Sequence, residues 1–196
     1  MNAPPRLIYD TTDLHQQLSL EGFLITYPPS RVSQSQAPWI CVYGATDSTK
    51  GGGDEEGLVR EWLALCSHYP RVQPTADHIK KLAQHFSVLA GKWMLFIRRS
   101  DIDAVWSRIT TATASGDLGC AAKVSSREPD ASEEDSTHLI CVYVSDFTDQ
   151  EDVWRVRETL RGMGFTRRLS FKADAYTHLN IYSGNEWGIT PSIYNA

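Results

Sequence analysis

The chain has 196 residues, 41% of them hydrophobic and 22% charged, a composition typical of a soluble globular protein with enough apolar material for a sizeable core. The formal net charge of -5 excludes overall attraction to nucleic acid or to an anionic membrane, although a local basic patch remains compatible with it. None of the four cysteines forms a Cys-x-x-Cys pair, so the common zinc-ligand and redox spacings are missing.

The N-terminal 38 residues are the least regular part of the sequence. The segment "YPPSRVSQSQAP" (Tyr27–Pro38) is rich in Pro, Ser and Gln, which is typical of a loop or linker, and "GFLITY" before it predicts an edge strand. We interpret residues 1–38 as an N-terminal arm and linker, and residues 39–196 as a single domain. The opening lacks the basic start and apolar run of a signal peptide, and no apolar segment is long enough to span a membrane. We therefore expect reduced cysteines and a cytoplasmic protein, with the nucleus as the alternative.

Three similar units follow one another after the linker. Each has a short apolar strand, an acidic entry and a helix that carries one tryptophan, and the tetrapeptide "ICVY" occurs in the first and the third strand. The predicted strands are Trp39–Tyr43, Lys92–Ile97 and Leu139–Val144. The helices after them carry Trp62, Trp106 and Trp154, and an additional helix is predicted over Thr75–Gly91.

The segments between these units differ in length and sequence. This argues against a solenoid and favours three helices that cover one face of a single sheet. We also predict a strand over Leu118–Ser125 and a hairpin that pairs Arg167–Lys172 with His178–Ser183. The acidic stretch "SSREPDASEEDST" is interpreted as a loop between two strands, and "GGGDEEG" as a flexible linker, because it lacks the Gly-Lys-Ser/Thr ending of a phosphate loop. The expected class is α+β, with a mostly antiparallel sheet and helices on one side.

Two segments carry a resemblance to a known fold. "GKWMLFI" followed by "DIDAVW", and "GDLGCAAKVS" followed by an apolar strand and "DQEDVWRVRETLRGMGF", resemble the order of strands and helices in the translation initiation factor 4E-like fold. The "GDLGCAAKVS" strand and the "FKADAYT…IYSGN" ending are similar to the basophilic leukaemia-expressed protein family. The resemblance covers roughly Trp39 to Tyr182. It implies a curved, mostly antiparallel sheet, and the label phosphothreonine lyase-like is attached to some members of the family.

The sequence departs from the cap-binding members of the 4E-like fold at the ligand site. Those members hold a methylated guanine between two loop tryptophans, next to an acidic residue. Here the first of these loops, "ATDSTKGGGDEE", contains no aromatic residue, and "SVLAGK" before Trp93 contains no Trp-Glu pair. The resemblance therefore does not extend to the methylguanine cage.

The stretch "FKADAYTHLNIYSGN" (Phe171–Asn185) concentrates polar side chains near the C-terminus. Strand alternation in "RLSFK" and "HLNIYS" places its polar residues on the face away from the helices, and neighbouring strands add two cations. Cations, phenols and amides on one face suit an anion such as a phosphate. A polar face that only contacts water is the alternative. The predicted ligand-binding residues are Arg98, Lys123, Arg168, Lys172, Tyr176, His178, Asn180, Tyr182, Asn185 and Trp187, the last on a C-terminal flap.

Three functions remain open from the sequence. The first is a non-enzymatic module that binds a nucleotide, an RNA end or a phosphopeptide. The second is a phospholyase in which Lys172, its pKa lowered by Arg168 and by burial, acts as base and His178 as acid. The third is an interaction scaffold that uses the helical face to bind a protein partner. No cofactor is expected, and no metal, because no cysteine or carboxylate completes a site with His78 and His85.

Overall fold

The computed structural model describes residues 5–45, 52–128 and 137–196. The predicted acidic loop lies partly, at residues 129–136, outside these ranges, as does residue 51, the first of the predicted linker "GGGDEEG". The second half of that linker is not flexible chain, because Asp54 caps the helix that Glu55 begins. Within the ranges, six helices and seven strands are present. The strands are β1 (Arg6–Asp10), β2 (Trp39–Tyr43), β3 (Gly91–Arg98), β4 (Ala121–Ser125), β5 (Thr137–Val144), β6 (Ser170–Ala173) and β7 (Tyr194–Asn195). The helices are α1 (Leu20–Thr26), α2 (Glu55–Cys66), α3 (Ala76–His85), α4 (Ile102–Ala114), α5 (Gln150–Gly162) and α6 (Asp174–His178).

All seven strands belong to one open sheet in the order β1-β2-β4-β5-β3-β6-β7. Every neighbouring pair is antiparallel except β1 and β2, which run parallel. The predicted α+β class with a mostly antiparallel sheet is therefore confirmed.

The main core lies between the sheet and two of the predicted tryptophan-bearing helices, α4 and α5. Alternate residues of β3 and β5 point into it, and Trp93 and Trp106 are fully buried there. The indole Nε1 of Trp93 donates a hydrogen bond to the carbonyl oxygen of Val153 at 3.0 Å, which satisfies the ring's polar atom and ties β3 to α5. The third such helix, α2, packs mainly against α3 and α6. We call the sheet face opposite α4 and α5 the open face.

The prediction of an N-terminal edge strand over "GFLITY" is wrong, because this segment lies in α1. Ser19 caps this helix by accepting a hydrogen bond from the backbone N–H of Gly22 at 3.1 Å. Phe23 is buried against the rings of Tyr9 and Tyr27, so a helical period places the apolar residue inward. The edge strand of the sheet is instead β1, which pairs in parallel with β2.

The predicted strand His178–Ser183 is also wrong, and with it the hairpin near the C-terminus. Residues Asp174–His178 form the short helix α6, and Asn180 follows it with a φ of 55°, a left-handed conformation that asparagine adopts more readily than most residues. The partners of β6 are β3 and β7. The polar residues of this stretch therefore do not line one strand, and their positions follow from α6 and the loop after it.

A buried arginine organises the C-terminal end of the fold. Arg157 on α5 is 0% exposed, and its guanidinium donates hydrogen bonds to the carbonyl oxygens of Phe165 (3.0 Å), Arg167 (3.0 Å) and Ala196 (3.2 Å). The same group lies 5.8 Å from the ring centroid of Trp93. Three carbonyl acceptors from two separate segments thus share one donor group, as the rigid fork of an arginine allows.

We expect Arg157→Leu to lower the free energy of unfolding by about 3 kcal/mol, because three carbonyl oxygens lose their charged donor. The measurement is urea unfolding followed by tryptophan fluorescence. The control is Arg161→Leu on the same helix, whose exposed pair with Glu158 contributes at most about 1 kcal/mol. Equal losses in the two variants would contradict the role given to Arg157.

Candidate functional site

The two "ICVY" segments lie in the same register on either side of β4. Both β2 and β5 run antiparallel to β4, so corresponding residues of the two segments pair with the same β4 residue. Lys123 lies opposite both Cys41 and Cys141, and Ala121 lies opposite the tyrosine of each segment. Because strands alternate, the isoleucines and valines point to the helices and the cysteines and tyrosines to the open face. The repeated tetrapeptide thus builds a symmetrical floor around Lys123 and Ala121.

A cavity of about 360 Å³ lies on this floor, a volume within the range of about 300–1,000 Å³ usual for small-molecule sites. We call it the open-face cavity. Its walls come from α6, from the segment before β3, and from Glu55 at the start of α2 with Gly52 and Gly53 before it. The chemically active side chains that line it include Glu55, Lys92, Lys123, Tyr143, Asp174 and His178.

Lys92 fixes one wall of the open-face cavity. This lysine is only 7% exposed, and its Nζ forms an ion pair with Asp174 and donates a hydrogen bond to Thr177 Oγ1 at 3.0 Å. Both partners belong to α6, whereas Lys92 belongs to β3. The short helix is therefore held on the sheet by a largely buried charge pair, whose lysine also has a hydroxyl partner.

A second contact joins α6 to α2. Nδ1 of His178 lies 3.3 Å from a carboxylate oxygen of Glu55, a pair that becomes an ion pair when the imidazole is protonated. Glu55 is the first residue of α2, and both side chains line the cavity.

Lys123 is the half-buried cation at the cavity floor. Its Nζ lies 4.4 Å from the ring centroid of Trp39 and 5.5 Å from that of Tyr143, so two aromatic rings stabilise the ammonium group. Burial lowers the pKa of Lys123 below its usual range. Within the described ranges, no carboxylate forms an ion pair with this lysine.

Lys172 stands directly opposite Lys92 on the neighbouring strand and is 6% exposed. Its Nζ donates a hydrogen bond to the carbonyl oxygen of Ile181 at 2.8 Å and lies 3.7 Å from the ring centroid of Tyr182. Burial, and then the charge of Lys92, lower the pKa of Lys172 to about 8. The sequence predicted a lowered pKa but named Arg168 as the neighbouring cation, which is wrong.

The structure brings some of the predicted site residues together. Lys123 and His178 line the open-face cavity, and Lys172 lies beside it under Tyr182. Asn180 lies in the turn after α6 and is exposed. His178, Asn180 and Tyr182 are positioned by α6 and the turn after it, and not by the predicted hairpin, whereas Lys123 lies on β4 and Lys172 on β6.

The other predicted residues lie elsewhere. Arg98 is at the far end of β3, opposite Thr137, and Arg168 is an exposed residue before β6. Tyr176 is buried in α6, and the polar side chain of Asn185 bonds to backbone atoms of its own loop. Trp187, predicted on a ligand-contacting flap, packs edge-on against Trp62 and Tyr69 with ring centroids 6.3 and 5.5 Å away.

Sequence reasoning missed Lys92, Asp174 and Tyr143. The sequence did contain a signal for Lys92. This lysine directly precedes the buried Trp93 in "GKWMLFIR", so strand alternation assigns it to the open face. The tyrosine of each "ICVY" segment carries the same signal. Asp174 had none, since its approach to Lys92 depends on the pairing of β3 with β6 and on the helix that follows.

The three described ranges hold no cluster of three or more His, Cys, Asp or Glu side chains placed to bind a metal ion. The helices found there are too short or too polar to cross a bilayer.

The chain is thus an α+β protein with a mostly antiparallel open sheet and a ligand-sized cavity on the face that α4 and α5 leave free. A family model described as "Basophilic leukemia-expressed protein Bles03" matches residues 68–180, more than half of the chain, and the chain belongs to this family. The matched part contains Lys92, Lys123, Asp174 and His178, so most of the charged lining of the open-face cavity falls inside the family domain.

The lowered pKa of Lys172 predicts a pH-dependent stability. The folded lysine titrates near pH 8 and the unfolded one at about 10.4, so the unfolded state binds more protons between these values. The free energy of unfolding contributed by this group therefore rises as the pH rises from 8 to about 10.4. We expect Lys172→Met to lack this rise, which urea unfolding at successive pH values measures as a changing difference from wild type.

Two buried cysteines act in the opposite direction over the same pH range. Burial raises the pKa of Cys141 to about 11, so its contribution to stability falls as the pH rises above the ordinary thiol value. Cys41 has its pKa raised for the same reason. Wild type and Lys172→Met share both cysteines, so their difference isolates the lysine. A difference that stays constant from pH 8 to 10 would contradict the prediction.

Proposed function

We propose that the protein binds a phosphate-bearing ligand in the open-face cavity, with Lys123 as the main contact of the phosphate. The observation that carries this proposal is the state of Lys123, a half-buried ammonium group with two aromatic neighbours and, in the part of the chain described, no carboxylate in an ion pair with it. Burying a charge without an opposite charge is costly, and an anion in the cavity removes that cost. Phosphate monoesters carry that charge and several strong hydrogen-bond acceptors.

The other charged residues of the cavity also favour a phosphate beside Lys123. The charge of Lys92 is matched by Asp174, and Glu55 lies beside His178. Arg6 on β1 lines the cavity on the same side as Lys123. The part of the cavity formed by β1, β2 and β4 is therefore the side on which we place the phosphate.

The proposal covers nucleotides, RNA ends and phosphopeptides, and it does not include the methylguanine cage of cap-binding proteins. We further infer a translation initiation factor 4E-like fold, supported by the open, mostly antiparallel sheet with α4 and α5 on one face. A reducing compartment, cytoplasm or nucleus, is part of the same proposal, and four free cysteines support it.

We expect Lys123→Met to weaken the binding of inorganic phosphate or of a phosphate monoester about tenfold or more, because a charged hydrogen bond is lost. Isothermal titration calorimetry on wild type and variant measures this, and raising the salt concentration weakens the wild-type binding. The matched control is Arg168→Met, which removes an exposed cation outside the cavity and leaves the affinity unchanged. Unaltered affinity in Lys123→Met would refute the proposal.

A phospholyase is the second candidate, because a lysine with a pKa of about 8 suits a general base and His178 lies in the cavity. In this reaction Lys172 takes the proton next to the carbonyl of a phosphothreonine, the electrons form a carbon–carbon double bond, and His178 protonates the phosphate that leaves. Lys172 Nζ is bonded to the carbonyl oxygen of Ile181 beneath Tyr182. The mechanism therefore requires the loop after α6 to move.

The test for the phospholyase is mass spectrometry of phosphothreonine peptides after incubation with the protein. The expected product has lost phosphoric acid, and Lys172→Met and His178→Gln each abolish it, whereas Arg168→Met does not. Absence of this product from a varied set of peptides would rule the reaction out and leave ligand binding as the function.

A scaffold function on the helical side has weaker support. Leu63 on α2 is 61% exposed and Ile25 on α1 is 73% exposed. Single exposed apolar residues are ordinary on protein surfaces and do not by themselves mark a partner site.

A further inference from the structure

We infer that the ligand of the open-face cavity is a phosphate monoester that also carries an ammonium group, with the phosphate on Lys123 and the ammonium group on Glu55. This inference rests on the proposed function and adds the chemical class of the group that carries the phosphate. It follows from the separation of positive and negative side chains along the cavity.

The cations Arg6 and Lys123 lie at one end of the cavity. Lys123 lies two residues beyond Ala121 on β4. Arg6 lies opposite Trp39, which in turn lies opposite Ser125, two residues further along β4. Both cations line the cavity, whereas the carboxylates that line it in the described ranges belong to α2 and α6. The end formed by β1 and β4 is therefore positive.

The start of α6 lies on the other side of the cavity. The backbone N–H of Asp174 donates a hydrogen bond to the carbonyl oxygen of Ala90 at 2.8 Å, two residues before Lys92. Lys123 is level with Met94, two residues after Lys92, because both lie opposite the same residue of β5. The register of the sheet thus places Lys123 and the start of α6 on opposite sides of Lys92.

Glu55 is the negative group at the helical end that lacks a permanent cation. The charge of Asp174 is matched by Lys92. In the part of the chain that the structure describes, the ion-pair partner of Glu55 is His178, whose imidazole is a cation only when it is protonated. The side chain of Glu55 is 55% exposed and lines the cavity, so an ammonium group that enters from solvent can reach it.

The segment that carries Ser87 lies beside the start of α2. The backbone N–H of Asp54 donates a hydrogen bond to the carbonyl oxygen of Phe86 at 2.8 Å, which holds the two segments together. Ser87 lines the cavity and has a φ of 58°, a left-handed conformation that in residues other than glycine is concentrated at ligand and active sites. An ammonium group has three N–H donors, and carboxylate and hydroxyl oxygens accept them.

The experiment compares four phosphate monoesters by isothermal titration calorimetry near neutral pH: ethyl phosphate, glycerol 1-phosphate, phosphoethanolamine and phosphoglycolate. Beyond the phosphate they are apolar, hydroxylated, positively charged and negatively charged, respectively. We expect phosphoethanolamine to bind about fivefold tighter than ethyl phosphate, as a half-exposed ion pair would give, and phosphoglycolate to bind weakest. The ammonium group lowers the net negative charge of the ligand, so attraction to Lys123 alone predicts that phosphoethanolamine binds more weakly.

Glu55→Gln removes the carboxylate and keeps the shape of the side chain. We expect this variant to lose the preference for phosphoethanolamine and to bind phosphoglycolate more tightly than wild type does. The matched control is Glu56→Gln, the same change at the next residue of α2, which is exposed and is not among the described residues that line the cavity. This control keeps the wild-type order of affinities.

The same ligand chemistry occurs in a small amino alcohol phosphate and in a phosphopeptide with a lysine beside the phosphorylated residue. A capped dipeptide of phosphothreonine and lysine distinguishes these sources in the same titration. Tighter binding than phosphoethanolamine assigns a peptide ligand, and weaker binding assigns a small molecule.

The outcomes separate this inference from the proposed function. If the compounds bind through Lys123 with equal affinity, or if Glu55→Gln keeps the preference for phosphoethanolamine, the ammonium site is wrong and anion binding stands. Glycerol 1-phosphate that binds as tightly as phosphoethanolamine overturns the choice of a cationic group. If none of the compounds binds, both the proposed function and this inference fail.

Discussion

The ion pair between Lys92 and Asp174 is the contact on which the candidate site depends. Lys92 lies on β3, inside the sheet, and Asp174 begins a helix of five residues that is too short to be stable by itself. The pair is largely buried, so removal of one partner leaves the other as an uncompensated charge. This penalty holds α6 on the open face and gives the cavity its wall. Thr177 and His178, which lie on the same helix, are positioned by the same contact.

The two faces of the sheet have separate roles because of strand alternation. The isoleucine and valine of each "ICVY" segment contribute to the core under α4 and α5, and the cysteine and tyrosine point to the open face, where Cys41, Tyr43 and Tyr143 line the cavity. A single tetrapeptide therefore supplies both stability and a surface for a ligand. Its repetition on both sides of β4 explains why Lys123 and Ala121 have equivalent neighbours to the left and right.

The long elements of the fold were predictable from the sequence, whereas the short ones were not. The strand beginning before Trp93 has eight residues and the helix containing Trp154 has thirteen, and their apolar patterns are unambiguous. The segments that became α1 and α6 are seven and five residues long, and over such lengths strand and helix patterns overlap. Only part of the candidate site was predictable from the sequence. Lys123 and His178 were predicted because their residue types suit a phosphate site. The approach of Asp174 to Lys92 requires the register of β3 with β6, which local pattern does not contain.

In the part of the chain that the structure describes, Lys123 and Lys172 have a lowered pKa, and Lys123 is the one placed to meet a ligand from solvent. The pKa of Lys172 is lowered to about 8, but a backbone carbonyl accepts its hydrogen bond and a tyrosine ring covers it. Lys123 is half-buried and lines the cavity, with the rings of Trp39 and Tyr143 beside its ammonium group. A perturbed pKa marks desolvation, which a packed interior and a binding site both produce. The ammonium group of Lys123 can be reached from the cavity, whereas that of Lys172 is covered. We therefore assign the binding role to Lys123.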